Sequence, residues 1–361
     1  MAVPTSTTLL KMDNIPNKGR GLIAAQDLKA GQIILTESPL LLYSASPLFS
    51  PSPSLYCHHC FRTLQPSQTF SCPSCSSYLF CSQKCLSFSL NSSHSSWTCQ
   101  TLSHLQNPTS PLSEKPSELQ VQARLIVAAY NLAIHTPSNL QALLSLHSIP
   151  NDDETDAIFG AAKFIHSLIS PFCPPHMNFS PQLAAKLIAI ERANSFCLME
   201  PYSPNGPQRS IKAYGIYQKT TISNHDCIPN ACRFDYVENG EPGDEHNTDI
   251  VIRLIKDVSA GSEICISYFR INKDYSTRKR ILMEDFGFVC ECDRCKIEAS
   301  WNENENKNSE SDLPHVIFLS KFVCDKVNCS GTLAPLPPKD GEKSNVLECN
   351  FCGNLKVDST T

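Results

Sequence analysis

The sequence predicts a mixed α+β protein whose β-rich core is interrupted by two insertions. Three observations carry this. Strand-type runs occur at 19–43 and return only at 211–268. Between them lie a cysteine-dense stretch, 57–99, and a block with helical spacing, 117–196. Fifteen of the 19 cysteines fall in groups with metal-ligand spacing rather than being scattered.

At 361 residues there is room for two or three domains, or for one domain with insertions, and 41% apolar residues can supply a core. A formal net charge of −5 argues against binding nucleic acid mainly through its phosphates. Charged residues are 18%, below the roughly 25% of average domains, so any charged partner surface must be local. The start, "MAVPTSTTLLKMDNIP", lacks the basic region, apolar run and cleavage site of a secretory signal. "ARLIVAAYNLAI" (123–134) is too short to span a bilayer and is interrupted by Arg124 and Asn131. Without a secretory signal, so many cysteines point to metal or catalysis rather than disulfides.

The elements follow in order. "GRGLIAAQDLKAGQIILTESPLLLY" (19–43) carries β-branched runs broken at Lys29-Ala30-Gly31, as expected of strands joined by a tight turn. The Ser/Pro-rich 44–55 reads as a linker. Ser117 with Gln120 suggests a capping box opening a helix, and Ser180-Pro181 a cap and first-turn proline for "PQLAAKLIAIERANSF". "KAYGIYQ", "ACRFDYV", "DIVIRLI" and "EICISYF" read as short strands, and "SWNENENKNSESD" (300–312) as a flexible polar linker.

The first cysteine group is Cys57, Cys60, Cys72, Cys75, Cys81, Cys85, His94 and Cys99. Eight ligands suffice for two tetrahedral zinc ions, since a Cys-x2-Cys turn offers two thiolates to one ion and a second pair closes the site. His104 is a rival for the eighth position, and His58 and His59 read as exposed bystanders. "CECDRC" supplies Cys290, Cys292 and Cys295, one ligand short, and "NHDCIPN" (224–230) contains a further cysteine, Cys227. Cys324, Cys329, Cys349 and Cys352 read as a small zinc ribbon. Three zinc sites are expected, with a fourth if that ribbon closes. Cys173, Cys197, Cys232 and Cys265 remain as ordinary buried thiols.

The order "NKGRGL" (17–22), "NHDCIPN", "EICISY" (263–268) and "FGFVCECDRC" (286–295) resembles the SET domain of protein-lysine methyltransferases. The cysteine pattern through "YLFCSQKC" resembles a MYND zinc finger, inserted as in the SET–MYND family, with a His-to-Cys spacing one residue longer than usual. The resemblance covers about residues 10–298. It implies SET N-terminal strands at 10–56, the finger at 57–99, a helical insertion at 100–200, the SET C-terminal core at 201–270 with knot-like threading and a post-SET zinc segment at 271–298; beyond it, composition and cysteine spacing read 299–361 as linker and ribbon.

By that resemblance the finger ligands alternate: Cys57, Cys60, Cys81 and Cys85 hold one ion, Cys72, Cys75, His94 and Cys99 the other. Cys227 completes the site of Cys290, Cys292 and Cys295. S-adenosylmethionine is the implied methyl donor, contacted by Lys18, Gly19, Arg20, Gly21, Asn194, Asn224, His225, Tyr268 and Phe288. Asn194 could equally be a helix C-cap. Tyr268 is the implied catalytic residue, and Tyr217 and Phe286 would line the lysine channel. Family members usually carry Tyr where this chain has Phe286, which points to a different product multiplicity.

The expected function is methylation of lysine on a histone or another protein, in the nucleus, the cytoplasm or both; "RKR" (278–280) is too short to signal nuclear import. The finger would recruit Pro-rich peptides. The competing reading is a zinc-dependent adaptor with a non-catalytic SET fold, which would bind no donor. Direct DNA binding is disfavoured, because 57–99 holds only Arg62 and Lys84 as fixed cations. Neither a membrane span nor secretion is expected.

Overall fold

A computed structural model describes residues 8–50, 56–65, 67–148, 155–203, 209–238, 240–300 and 314–358. Strands β1 (Leu10–Ile15), β2 (Gly19–Ala24), β3 (Ile33–Glu37) and β4 (Leu41–Ser44) come first. The finger carries the two-residue strands β5 (Phe70–Ser71) and β6 (Leu79–Phe80) and helices α1 (Gln83–Leu90) and α2 (Ser96–Leu105). Helices α3 (Ser117–His135), α4 (Pro137–Leu144), α5 (Thr155–Ile169) and α6 (Pro181–Asn194) form the helical block. Strands β7 (Ser195–Met199), β8 (Ile211–Ile216), β9 (Asn224–His225), β10 (Ala231–Asp235), β11 (Ile250–Leu254) and β12 (Glu263–Ile266) follow. Helices α7 (Tyr275–Phe286), α8 (Asp293–Glu298) and α9 (Pro314–Phe322) and strands β13 (Leu333–Pro335), β14 (Val346–Cys349) and β15 (Leu355–Val357) close the chain.

Two compact units result. One comprises Met1–Glu37, Lys219–Asp235 and Ile250–Thr361; the other Ser38–Gln218 and Tyr236–Asp249. The first holds the sheets β1-β2-β12-β9, β10-β11-β3 and β13-β14-β15. All their pairings are antiparallel except β9 beside β12, where Asn224 faces Cys265 and His225 faces Ile266. That parallel pair sets "NHDCIPN" against the strand leading to Tyr268. In the second unit the sheet β4-β8-β7 and the helices share one apolar core, including Leu125, Ile126, Tyr130, Ile165, Leu187 and Ile216.

Ser180 caps α6 as expected: its side chain accepts from Leu183 N–H and Pro181 occupies the first turn. Losing that acceptor leaves a helix donor unsatisfied, so Ser180→Ala should lower unfolding free energy by about 1 kcal/mol in a urea titration. The capping box at α3 is not formed. Ser117 is already helical, Pro116 stands at the cap without a side-chain bond, and Gln120 instead donates to Lys115 O and accepts from Phe49 N–H. The linker reading of 44–55 fails at its start, where Ser44 ends β4 and Leu48 is buried; 51–55 lie outside the described residues, as do 301–312 of the polar linker. The last expected turn of α6 is strand instead, since Ser195 and Phe196 begin β7.

Candidate active site and metal centres

The β1–β2 hairpin turns through Asn17 and Gly19, both at positive φ (62° and 78°). Gly21 must be glycine for another reason. A Cβ there would lie 2.5 Å from Ile15 Cγ1 and 3.0 Å from Asn224 Nδ2. Its absence lets Asn224 reach in and donate to Arg20 O at 3.2 Å. Asn224 also donates to Glu263 Oε1 at 2.7 Å, and Lys18 Nζ pairs with Glu263 Oε2 at 2.8 Å. Glu263 thus ties Lys18 to Asn224, a role its place in "EICISY" did not reveal. Asn230, last in the heptapeptide, donates to Glu263 O and accepts from Cys265 N–H, fastening the turn along β12.

Tyr268 follows β12. Its backbone N–H donates to His225 Nδ1 at 3.2 Å, and its hydroxyl donates to Ser223 O at 3.1 Å. Burial raises the phenol's pKa well above its usual value, so the group stays protonated. Burial pushes His225 down to about 3, so the imidazole is neutral. With Nδ1 accepting, Nε2 carries the proton and faces Cys227 Sγ at 3.2 Å. His225 therefore bridges the Tyr268 backbone just past β12 and a candidate metal ligand.

Aromatic rings surround the pair. Helix α7 ends on Gly287 in the left-handed region, with two nested backbone bonds closing the reversal, Gly287 N–H on Met283 O and Phe288 N–H on Leu282 O. The reversal aims both flanking rings at Tyr268: Phe286 at 4.7 Å and Phe288 edge-on at 6.5 Å. Phe269 lies 4.8 Å from the His225 ring. Two buried hydroxyls, Ser223 Oγ and Ser267 Oγ, have no hydrogen-bond partner among the described residues. Unsatisfied buried hydroxyls on the residues adjoining Asn224 and Tyr268 fit a polar ligand, so the residues present suit the expected donor.

Asn194 and Tyr217 belong to the other unit. Asn194, the last residue of α6, donates to Ile190 O and His147 O, each at 2.7 Å, and Tyr217 is fully buried with its hydroxyl on Thr248 O at 2.6 Å.

The expected metal ligands gather in four groups. Cys57, Cys60, Cys81 and Cys85; Cys72, Cys75, His94 and Cys99; Cys227, Cys290, Cys292 and Cys295; and Cys324, Cys329, Cys349 and Cys352 each place their ligand atoms within 4.8 Å of one another. None of the 19 cysteines forms a disulfide. The closest sulfur pairs, such as Cys60–Cys81 at 3.5 Å, Cys81–Cys85 at 3.7 Å and Cys72–Cys99 at 3.9 Å, are far beyond a disulfide bond. They match the edge of about 3.8 Å that a tetrahedron with zinc–sulfur bonds of about 2.3 Å requires. The donor sets fit zinc.

Neither His58 nor His59 is an exposed bystander; both are half-buried, and His58 accepts from Leu79 N–H at 3.2 Å while its ring packs on Tyr78. His104 is exposed and outside every group. Of the remaining thiols, Cys232 and Cys265 are buried but Cys173 and Cys197 only half so.

Sequence reading also missed the support of the third group. Arg278, inside "RKR", is fully buried rather than part of a basic surface. Its Nε donates to Cys227 Sγ at 3.2 Å, its Nη2 reaches Cys295 Sγ at 3.6 Å, and Glu298 balances it at 2.8 Å. Such N–H···S bonds hold thiolates in place and spread their charge.

Comparison with known proteins agrees with this geometry. A family model described as "SET domain" matches residues 19–269. The chain is 47% identical over 390 aligned positions to histone-lysine N-methyltransferase ASHR2 of Arabidopsis thaliana, covering 97% of this chain and 96% of that one. It is 26% identical to ASHR1 of the same plant and 24% to human SMYD1, both named histone-lysine N-methyltransferases, covering 92% and 89% of this chain. It spans only 62% and 64% of those two proteins' own lengths.

Proposed function

Because the chain belongs to the SET-domain family, we propose that it transfers methyl groups from S-adenosylmethionine to lysine side chains of histones or other proteins. The observation that carries this is the parallel pairing of Asn224–His225 with Cys265–Ile266. It sets the donor-type turn, the catalytic-type Tyr268 and the Cys227 metal group around one point.

The bound donor supplies a sulfonium-activated methyl group. Lysine must accept it as a neutral amine, yet with a pKa of about 10.4 only about one in 2,500 is neutral at pH 7. The half-buried rings of Phe286 and Phe288 flank Tyr268 and exclude water there, which disfavours the ammonium form. The Tyr268 hydroxyl spends its proton on Ser223 O, so only its oxygen lone pairs face an incoming amine. It orients the nucleophile and stabilises the positive charge developing on the amine nitrogen. Being protonated, it is no general base.

The alternating finger tetrads suit a MYND-type module; on this reading the finger recruits Pro-rich peptides, and the protein substrates lie in the nucleus, the cytoplasm or both. The test is radiolabelled methyl transfer onto core histones and a whole-cell lysate, with calorimetry against S-adenosylmethionine. Label on protein lysine together with donor binding supports the enzyme. An absence of donor binding leaves the adaptor.

Phe286 lacks the hydroxyl that would hold an amine or its water. The wild type should therefore add more than one methyl, and Phe286→Tyr should shift the product towards monomethyl-lysine by mass spectrometry. Monomethyl product alone from both proteins would refute that role.

A further inference from the structure

The C-terminal segment lies beyond the residues that the SET family matches, yet it is built into the donor-binding unit. Within 314–358 the buried apolar side chains are few, among them Phe318, Phe322, Leu333, Ala334 and Leu347, too few for a segment of this size to fold unaided. What it has instead is a closed set of four thiols. Cys324–Cys352 and Cys329–Cys349 sulfur distances are 3.7 and 3.6 Å, the tetrahedral edge again. The turns carrying them are shaped for it: Asn328, Ser330 and Gly353 adopt positive φ, and Phe351 N–H points at Cys349 Sγ at 3.4 Å. At Gly331 a Cβ would lie 2.5 Å from that same sulfur.

The closed ribbon is bolted to the catalytic sheets. Arg253 of β11 is 1% exposed, lies 3.7 Å above the Phe234 ring and pairs with Glu348 of β14 at 2.8 Å. Asn350 donates to Arg233 O of β10 at 3.0 Å, and Arg270, two residues past Tyr268, lies 4.5 Å over the Phe351 ring. The β3-side turn at Gly31 touches the segment so closely that a Cβ would sit 2.3 Å from Leu336 O. At its other end, His315 of α9 meets Glu298, the partner of Arg278, at 3.6 Å.

We propose that Cys324, Cys329, Cys349 and Cys352 hold a zinc ion whose task is to close this segment into a brace on the β10-β11-β3 sheet and on the strand end that carries Tyr268. Zinc folds the ribbon; the folded ribbon presents Glu348 and Phe351, which give the buried Arg253 its counter-charge and hold Arg270 behind the site. The inference does not depend on the methyl-transfer reading, because its evidence is metal content and stability.

The test uses the full-length protein. Elemental analysis should find one zinc fewer per chain in Cys349→Ser/Cys352→Ser than in the wild type. Trypsin should then cleave within 250–254 as well as within the ribbon at least about tenfold faster, since a local opening costs its stabilising contacts. Glu348→Gln keeps the wild-type zinc content but should lower the melting temperature by roughly 2–4 °C, because a buried guanidinium loses its charge partner. That variant decides the bracing role even if the double variant fails to fold. Unchanged zinc in the double variant, or zinc loss without faster cleavage at 250–254, or an unchanged melting temperature in Glu348→Gln, overturns the proposal.

Discussion

Cys227→Ser should leave the protein with one zinc fewer per chain and at least about tenfold weaker S-adenosylmethionine binding, equivalent to about 1.4 kcal/mol or more. Three thiolates do not close a structural site, and a serine hydroxyl does not ionise to replace the fourth. The loss spreads because Cys227 Sγ accepts from two buried donors, His225 Nε2 at 3.2 Å and Arg278 Nε at 3.2 Å. Without the sulfur, His225 loses the bond that fixes its ring, and Tyr268 N–H depends on that ring. Structural zinc is worth about 10–16 kcal/mol in finger peptides, so the Cys290–Cys295 flap should loosen as a whole, with Phe286 and Phe288 going with it. Cys173→Ser is the control, since Cys173 stands outside every metal group. Elemental analysis and calorimetry read both effects. Full zinc content with undiminished donor affinity would show that the turn and the flap are independent.

How legible this was depended on how local each signal is. Two cysteines on one turn are a local requirement, so spacing in the sequence marked the finger, flap and ribbon cysteines as metal ligands. The pairing of their halves is a matter of tertiary structure; only the family resemblance supplied the alternation in the finger and the union of Cys227 with the flap. Helices α1 and α2 went unread because Cys85 and Cys99 sit at positions where apolar residues would have marked the period. Ser117 and Gln120 show the reverse error: a correct local pattern lost to Pro116, which took the cap position, and to Phe49, which recruited the glutamine. Arg278 was illegible in principle. A basic triplet reads as surface until its sulfur and carboxylate partners, supplied from Cys227, Cys295 and Glu298, are known. Glu263 was visible but mute, because its work is to join Lys18 and Asn224, 245 and 39 positions away.

Tyr268→Phe should lower kcat by roughly 10²–10³, the usual consequence of removing one preorganised dipole from a charge-developing transition state, while donor affinity changes far less. The phenyl ring retains the packing against Phe286 and the tilted contact with His225, so shape is preserved and only the oxygen is lost. The bond to Ser223 O vanishes too, but that carbonyl belongs to a backbone turn held separately by Ser223 N–H on Thr220 O at 2.9 Å. A role limited to packing would therefore leave kcat nearly intact. The pH profile separates the roles further. Because burial raises the phenol's pKa, wild-type rates should climb with pH as substrate lysine deprotonates, with no descending limb from Tyr268 below its raised value. The variant should climb along the same curve at a lower level, since the proton lost is the lysine's in both. A variant whose kcat matches the wild type, or whose profile changes shape instead of height, would remove Tyr268 from the chemistry and leave the donor site without an identified partner for the amine.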